Sequence, residues 1–373
     1  MRSNGEVFSR GNLRKYLSSV FNERVEILSI KPIGNSTEEA DEHVADIKGW
    51  GYGIPILIKL KIGEYTKSVV LSTMRPGGFG HDHFSDRAAI LLWQHSTFNK
   101  LKHHVKSLDV GAFTSEGQLK TLGNCTEFFI LTEFLEGKPY HMDLDRLKAT
   151  KRLTELDKIR CRALSSYLVE LHAIKSEEKP LYIRRIRDLL GHGEGIMGLT
   201  DSYPTPLDYV DTSSLAEIEK RCVDWKWKLK DFSQRLSQVH GDYHPWNILF
   251  SGDDDFLVLD RSRGEWGEPA DDLSAMTINY LFYSLQTYGR LAEAFETLFN
   301  LFWSQYLDKT GDEEVLRVIP PFFAWRALVV ASPIWYPNLP ISVRTKLLNF
   351  IFNVLESDSF DLKEVNSYFL RSR

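Results

Sequence analysis

The stretch Val239-His240-Gly241-Asp242-Tyr243-His244-Pro245-Trp246-Asn247-Ile248-Leu249-Phe250 gathers imidazole, carboxylate and amide groups and then turns apolar. Polar groups this dense, with Gly and Pro among them, form a loop, and the apolar tail reads as a strand. The acidic run 252–255 is a turn. Residues 256–259 are a second strand ending in Asp260, so a hairpin returns Asp260 towards Asn247. An isolated His-Gly-Asp would be an ordinary turn held by its own side chain. The full pattern, H-G-D-x-x-x-x-N, strand, acidic turn, strand, D, is far more restrictive. Two oxygen donors at adjoining strand ends suit a hard divalent cation that keeps water and phosphate oxygens as its other ligands. Asp242 then stands where it can accept a proton from a hydroxyl nucleophile.

The rest of the chain limits the setting. Its 373 residues, 43% hydrophobic and 26% charged, can bury one large core or two smaller ones. Lys and Arg total 46 against 51 for Asp and Glu, and the net charge of −5 gives no general attraction to a polyanion, so nucleic acid is not an expected partner. The three cysteines, Cys125, Cys161 and Cys222, lack a CxxC spacing and suit a reducing compartment. The opening residues lack the apolar core of a signal peptide and no run is long enough to span a bilayer, which places the expected site of action in the cytoplasm, away from membranes. The longest apolar stretches, 275–285 and 322–330, are interrupted by Asn279 and Arg326 and read as buried helices.

Strand patterns dominate the first third and helical patterns the remainder, which predicts an α+β chain of two lobes. A helix at 12–21 precedes strands at 25–33, 54–62 and 68–74, which can form an antiparallel sheet. Ser85 is a candidate N-cap for a helix whose Ala88, Ala89, Leu91, Leu92 and Phe98 make one buried face. Strands at 107–113 and 127–134 complete the lobe, and the hinge is expected at 133–137. The helix 161–175 carries His172 as a packing or capping residue. Residues 176–212 read as a variable insertion, with Arg184, Arg185 and Arg187 as a solvated face. Trp225, Trp227, Trp303, Trp325, Trp335 and Tyr336 serve either as core or as walls of a pocket for an amine or sugar.

The segment 240–273 resembles the catalytic and metal-binding loops of the aminoglycoside phosphotransferase and choline kinase family, which shares the protein-kinase fold. The resemblance implies a small N-terminal antiparallel-sheet lobe that binds nucleotide (1–136) and a larger, mainly helical catalytic and substrate lobe (137–373). It makes Asp242 the catalytic base, Asn247 and Asp260 the holders of Mg2+, His240 the residue that orients the loop, and Asp272 a brace at the start of the following helix. Residues 129–137 resemble the hinge strand, so that the backbone of Glu133, Phe134 and Leu135 would meet the adenine of ATP. Residues 167–172 resemble the family's L-x-x-L-H helix.

The family's third-strand lysine is missing: Ser72 or Thr73 stands at its position, and the helix after Ser85 has no glutamate to hold one. Lys59 or Lys61 on the preceding strand, Arg75, or the backbone of the glycine-rich turn at Gly77 and Gly78 can take its place beside the phosphates. Arg75 would face away from Ser72 unless a bulge intervenes. Arg261 and Arg263, after Asp260, either meet an anion or pair with Glu265, Glu268 or Asp271. The expected function is transfer of the γ-phosphate of ATP, with Mg2+, to a hydroxyl of a small molecule. The alternatives are a nucleotide-binding scaffold that has lost its lysine, or nucleotidyl transfer on the same fold. Neither the substrate nor the oligomeric state is legible.

Overall fold

The structure, a computed structural model, describes residues 9–33, 55–77 and 80–371. It divides into two compact units, Met1–Thr132 and Glu133–Arg373.

In the first unit, helix α1 (Arg10–Phe21) is capped by Ser9, whose side chain accepts from the amide of Asn12, and ends at Asn22 in the left-handed region. Its Leu13 and Leu17 pack on an antiparallel sheet of β1 (Val25–Pro32), β2 (Ile56–Ile62) and β3 (Tyr65–Leu71), where Val25, Ile27, Ile58, Leu60 and Ile62 are buried. Period-2 alternation leaves Lys59 and Lys61 on the exposed face, Lys59 opposite Ser68. The third strand lies three residues nearer the N-terminus than the expected 68–74. Gly63, at φ 56°, allows a two-residue turn that pairs Ile62 directly with Tyr65.

Helix α2 (Phe84–Phe98) starts from His83 and not from Ser85. The His83 amide donates to Asp86 at 2.7 Å, the reciprocal half of a capping box. Its expected buried face is not buried: Ala89 is exposed and Ala88, Leu91, Leu92 and Phe98 are half-covered. A cavity of about 690 Å³, lined by Leu91 and Phe98 on one side and by β3 and residues 105–113 on others, accounts for this. The strand expected at 107–113 shortens to β4 (Gly111–Phe113), paired with β5 (Leu119–Thr121). Asp109 accepts from the Tyr16 hydroxyl (2.6 Å), the Thr121 hydroxyl (2.8 Å) and the Gly123 amide (3.1 Å), which holds that ribbon to α1. Residues 127–134 form no strand, because no described strand offers its edge to them, and Phe129, Ile130 and Leu131 are exposed.

The second unit opens with β6 (Lys138–Pro139), followed by α3 (His141–Thr150) and α4 (Glu155–His172). A Thr154/Asp157 capping box starts α4 six residues before the expected helix at 161. The region read as an insertion folds into α5 (Lys179–Gly191) and α6 (Ile196–Ser202), whose Tyr182, Ile186, Leu189, Leu190, Ile196 and Leu199 are core residues. Helix α7 (Thr212–Leu229) and the short β7 (Ser237–Gln238) lead to the polar loop, and then to the hairpin of β8 (Ile248–Phe250) and β9 (Phe256–Val258). Strand β6 pairs with the other edge of β8. After β10 (Trp266–Gly267), paired with β7, come α8 (Pro269–Tyr288), α9 (Glu293–Thr310), α10 (Val315–Val318), α11 (Pro320–Ala331) and α12 (Ile341–Glu356). Helix α8 is buried on all sides from Pro269 to Leu285, which makes it the axis of the core. Trp225, Trp303 and Trp325 are core residues, whereas Trp227 and Trp335 are exposed. No described helix is long and apolar enough to cross a membrane.

Candidate active site

The first turn of α8 organises the loop at 240–247. Pro269 stands at its start, where a missing amide is harmless, and Asp271 and Asp272 follow where the helix dipole favours negative charge. Asp272 is fully buried. Its Oδ2 accepts from the His240 amide and its Oδ1 from the Gly241 amide, both at 2.7 Å. His172 Nε2, at the end of α4, lies 3.2 Å from Oδ2, and its Nδ1 meets the Tyr306 hydroxyl of α9 at 2.9 Å. One carboxylate thus fastens two helices to the loop. Burial alone would raise its pKa, but the His172 contact and the His240 amide outweigh that and hold it below the usual carboxylate range. Gly241 sits at φ 85°, a left-handed conformation that favours glycine, and a Cβ there would crowd Arg263 Cβ at 3.2 Å. The Asp242 amide donates to His240 Nδ1 at 3.3 Å, which needs a neutral imidazole, and burial lowers the His240 pKa in that direction.

Asp242 is met by two guanidinium groups. Arg326 Nη1 (2.6 Å) and Arg263 Nη1 (2.7 Å) both donate to Oδ1, while Oδ2 has His244 Nε2 at 3.5 Å. Burial would push this carboxyl up. Arg326, the His244 hydrogen bond and Arg263 prevail and hold it far below the usual range. Oδ1 is therefore saturated and Oδ2 is the oxygen left for a further donor.

Asn247 closes a short 3-10 turn, and its Nδ2 donates to the Asp242 carbonyl at 3.0 Å, which leaves Oδ1 as its remaining acceptor. The Leu259 amide donates to the Asn247 carbonyl at 2.8 Å, so the hairpin sets Asp260 beside Asn247. Asp260 is exposed and adopts φ 53°, a left-handed conformation uncommon outside glycine, with Oδ1 accepting from the Ser262 amide at 3.1 Å.

The remaining expected site residues belong to other parts of the chain. Lys59, Arg75 and Gly77 belong to the first unit. Arg75 follows the end of β3, so strand alternation does not govern its direction. Gly77, at φ 139°, bridges to His81, and Gly78 falls outside the described residues. Glu133 and Phe134 are exposed and Leu135 half-buried, all in a segment without regular structure.

Three participants were not legible as such. Arg326, Arg185 and Asp271 form a chain with Asp242: Arg185 Nη2 reaches Asp271 Oδ2 at 2.6 Å, and Arg326 Nη2 reaches Asp271 Oδ1 at 2.7 Å. Arg185 is thus part of a buried pair and not of a solvated face. The signal for Arg326 was present, since a lone charge in an apolar helix must have a partner. The arginines after Asp260 separate in role. Arg261 donates to the carbonyls of Val239 and Glu265, and Arg263 pairs with Asp242 and, at 3.4 Å, with Glu194. Glu268 instead receives Arg235. Trp325, a possible pocket wall by sequence, already has Arg326 (4.0 Å) and Arg263 (4.8 Å) against its ring.

The chain thus holds a small sheet unit, a large helical unit and, within the latter, a braced aspartate loop beside an Asn/Asp hairpin. The sequence pattern of the phosphotransferase enzyme family matches residues 102–303, more than half of the chain, and the chain belongs to that family. A comparison with curated protein sequences finds no match. Among solved structures, a glucosamine kinase bound to glucosamine, ADP and inorganic phosphate is 15% identical with a TM-score of 0.34, over 57% of this chain and 59% of that one. This chain thus spans less than two thirds of that kinase. An amicoumacin kinase bound to AMP-PNP and Ca2+ is 15% identical with a TM-score of 0.40, over 86% and 90% of the two chains. A choline kinase from Streptococcus pneumoniae is 13% identical with a TM-score of 0.35, over 92% and 97%.

Proposed function

We propose that the protein transfers the γ-phosphate of ATP to a hydroxyl group of a small molecule, with Mg2+ as the metal. The observation that carries this reading is the state of Asp242: ionised, fixed by two arginines at Oδ1, and open at Oδ2 to one more donor. A hydroxyl bound there is oriented for attack. As its oxygen bonds to the γ-phosphorus and the bond to the bridging oxygen of ADP breaks, its proton passes to Oδ2 and the electron pair leaves with ADP. A carboxylate held so strongly ionised is a weak base, which suits a loose transition state in which positioning matters more than early proton removal.

The donors around Asn247 and Asp260 fit magnesium, since both offer hard oxygens and Asn247 presents Oδ1 because its nitrogen is engaged. Bound there, the ion would neutralise charge on the phosphates. In this reading His240 and Asp272 support the loop. Residues 1–136 bind the nucleotide, with the backbone of Glu133, Phe134 and Leu135 against the base. Lys59, Arg75 or the turn at Gly77 completes the phosphate contacts. The test is ADP release from ATP and Mg2+ across a panel of sugars, amino alcohols and polyols. Release with none of them, together with no ATP-dependent thermal shift, would remove the reading.

A further inference from the structure

Arg326 lies on α11, outside the stretch 102–303 that carries the family pattern, and it is buried in an otherwise apolar helix. A guanidinium in such surroundings needs partners, and both terminal nitrogens of Arg326 have them while its buried Nε has none. Nη1 meets Asp242 Oδ1, Nη2 meets both the Gly241 carbonyl (3.1 Å) and Asp271 Oδ1, and the plane rests on Trp325. Asp271 is in turn fixed by Arg185 from α5, so Arg326 cannot swing away without breaking a second pair. The hydrogen-bond partners come from the 240–247 loop and the first turn of α8, both remote in sequence, and they hold Asp242 Oδ1 from the core side.

Resting on the reading of Asp242 as proton acceptor, we infer that Arg326 is a positioning residue: by holding Oδ1 from the core side it presents Oδ2 to the acceptor hydroxyl. The groups facing Asp242 are Arg326 from α11, Arg263 from the loop after Asp260, and His244 from its own loop. Behind them stand Asp271 and Arg185 on Arg326, and Glu194 on Arg263. Arg263 shares Oδ1 but is more exposed and contacts Asp271 through no side-chain bond, so it cannot replace the anchor. Without Arg326 the carboxylate keeps one guanidinium, and Oδ1 loses its hold from the core side.

The full chain is assayed with Mg2+ and ATP as probe, water serving as the acceptor, and ADP release is followed. Arg326→Gln is expected to lower kcat about 100-fold and to leave KM for ATP within about twofold. Arg326→Lys, which keeps the charge, should return part of the rate. A residue that merely supports the fold would reduce the yield of active protein without this split between kcat and KM and without rescue by lysine. A kcat within about threefold of the original for Arg326→Gln would overturn the inference. Should that variant not fold, thermal midpoints of Asp242→Asn, Arg326→Lys and their combination decide. Non-additive midpoints uphold the contact and additive ones remove it. If the original protein releases no ADP with water, the panel of hydroxyl acceptors judges phosphoryl transfer itself, and the same thermal comparison still judges Arg326.

Discussion

Asp242 and Asp260 belong to one motif but are held in opposite ways, one buried between guanidinium groups and the other exposed in a left-handed conformation. Asp242→Asn should abolish turnover by about 100-fold or more while ATP binding, measured calorimetrically, stays near its original value. Because the substitution leaves two arginines facing a neutral amide, it should also destabilise the fold by about 3 kcal/mol in urea denaturation. Asp260→Gly separates backbone from side chain. Relief of the positive φ should raise stability by about 1 kcal/mol, yet the Mg2+-dependent part of ATP binding should disappear. If binding survives, Asp260 holds no metal. For Asp272 the folded pKa is depressed, so its contribution is present above the unfolded value near about 4 and is lost as pH falls through the folded value. The stability gap between the original and Asp272→Asn should therefore be wide at neutral pH and narrow in acid. These carboxylates were legible because each sits at a fixed offset in one local motif. Arg326 was not, because what pairs it is the tertiary fold, which no local spacing encodes.

Elements were read well where a single periodicity decides them. The hairpin that sets Asp260 beside Asn247 follows from two apolar runs and an acidic turn, and α8 and α11 follow from long apolar stretches, each interrupted by a polar residue. Readings failed where a partner or cap decides. Residues 127–134 have strand composition and no strand beside them, α2 starts from a histidine in place of the serine, and α5 looked like an insertion because its arginines mask an apolar face. Gly137 shows how tightly the elements around the site abut. A Cβ there would lie 2.8 Å from Leu249 Cβ and 3.2 Å from the Phe250 carbonyl oxygen, so the chain entering β6 passes β8 too closely for a side chain at this position. Gly137→Ala should cost about 1–3 kcal/mol in urea denaturation. An unchanged midpoint would mean that β6 yields freely.

At the scale of the molecule the α+β character was visible as a change in periodicity along the chain, and the structure passes from a sheet unit to a mainly helical one. Each unit has its own apolar core, the larger built wholly from residues after Thr132. Residues 133–373 alone should therefore melt cooperatively by circular dichroism. ATP with Mg2+ should raise the melting temperature of the whole chain but not that of this fragment, since a ligand stabilises only a fold that binds it. A fragment that responds to ATP as the whole chain does would place the nucleotide contacts in the second unit.

The chain of charges that ends on Arg326 also gives the site an order in time. Asp242 and Asp271 leave the ribosome well before α11 does, and until α11 arrives each has one of its two guanidinium partners, Arg263 and Arg185. The shared partner that ties the two carboxylates together is carried by one of the last helices to be made, so a chain clipped before α11 displays the motif without this link.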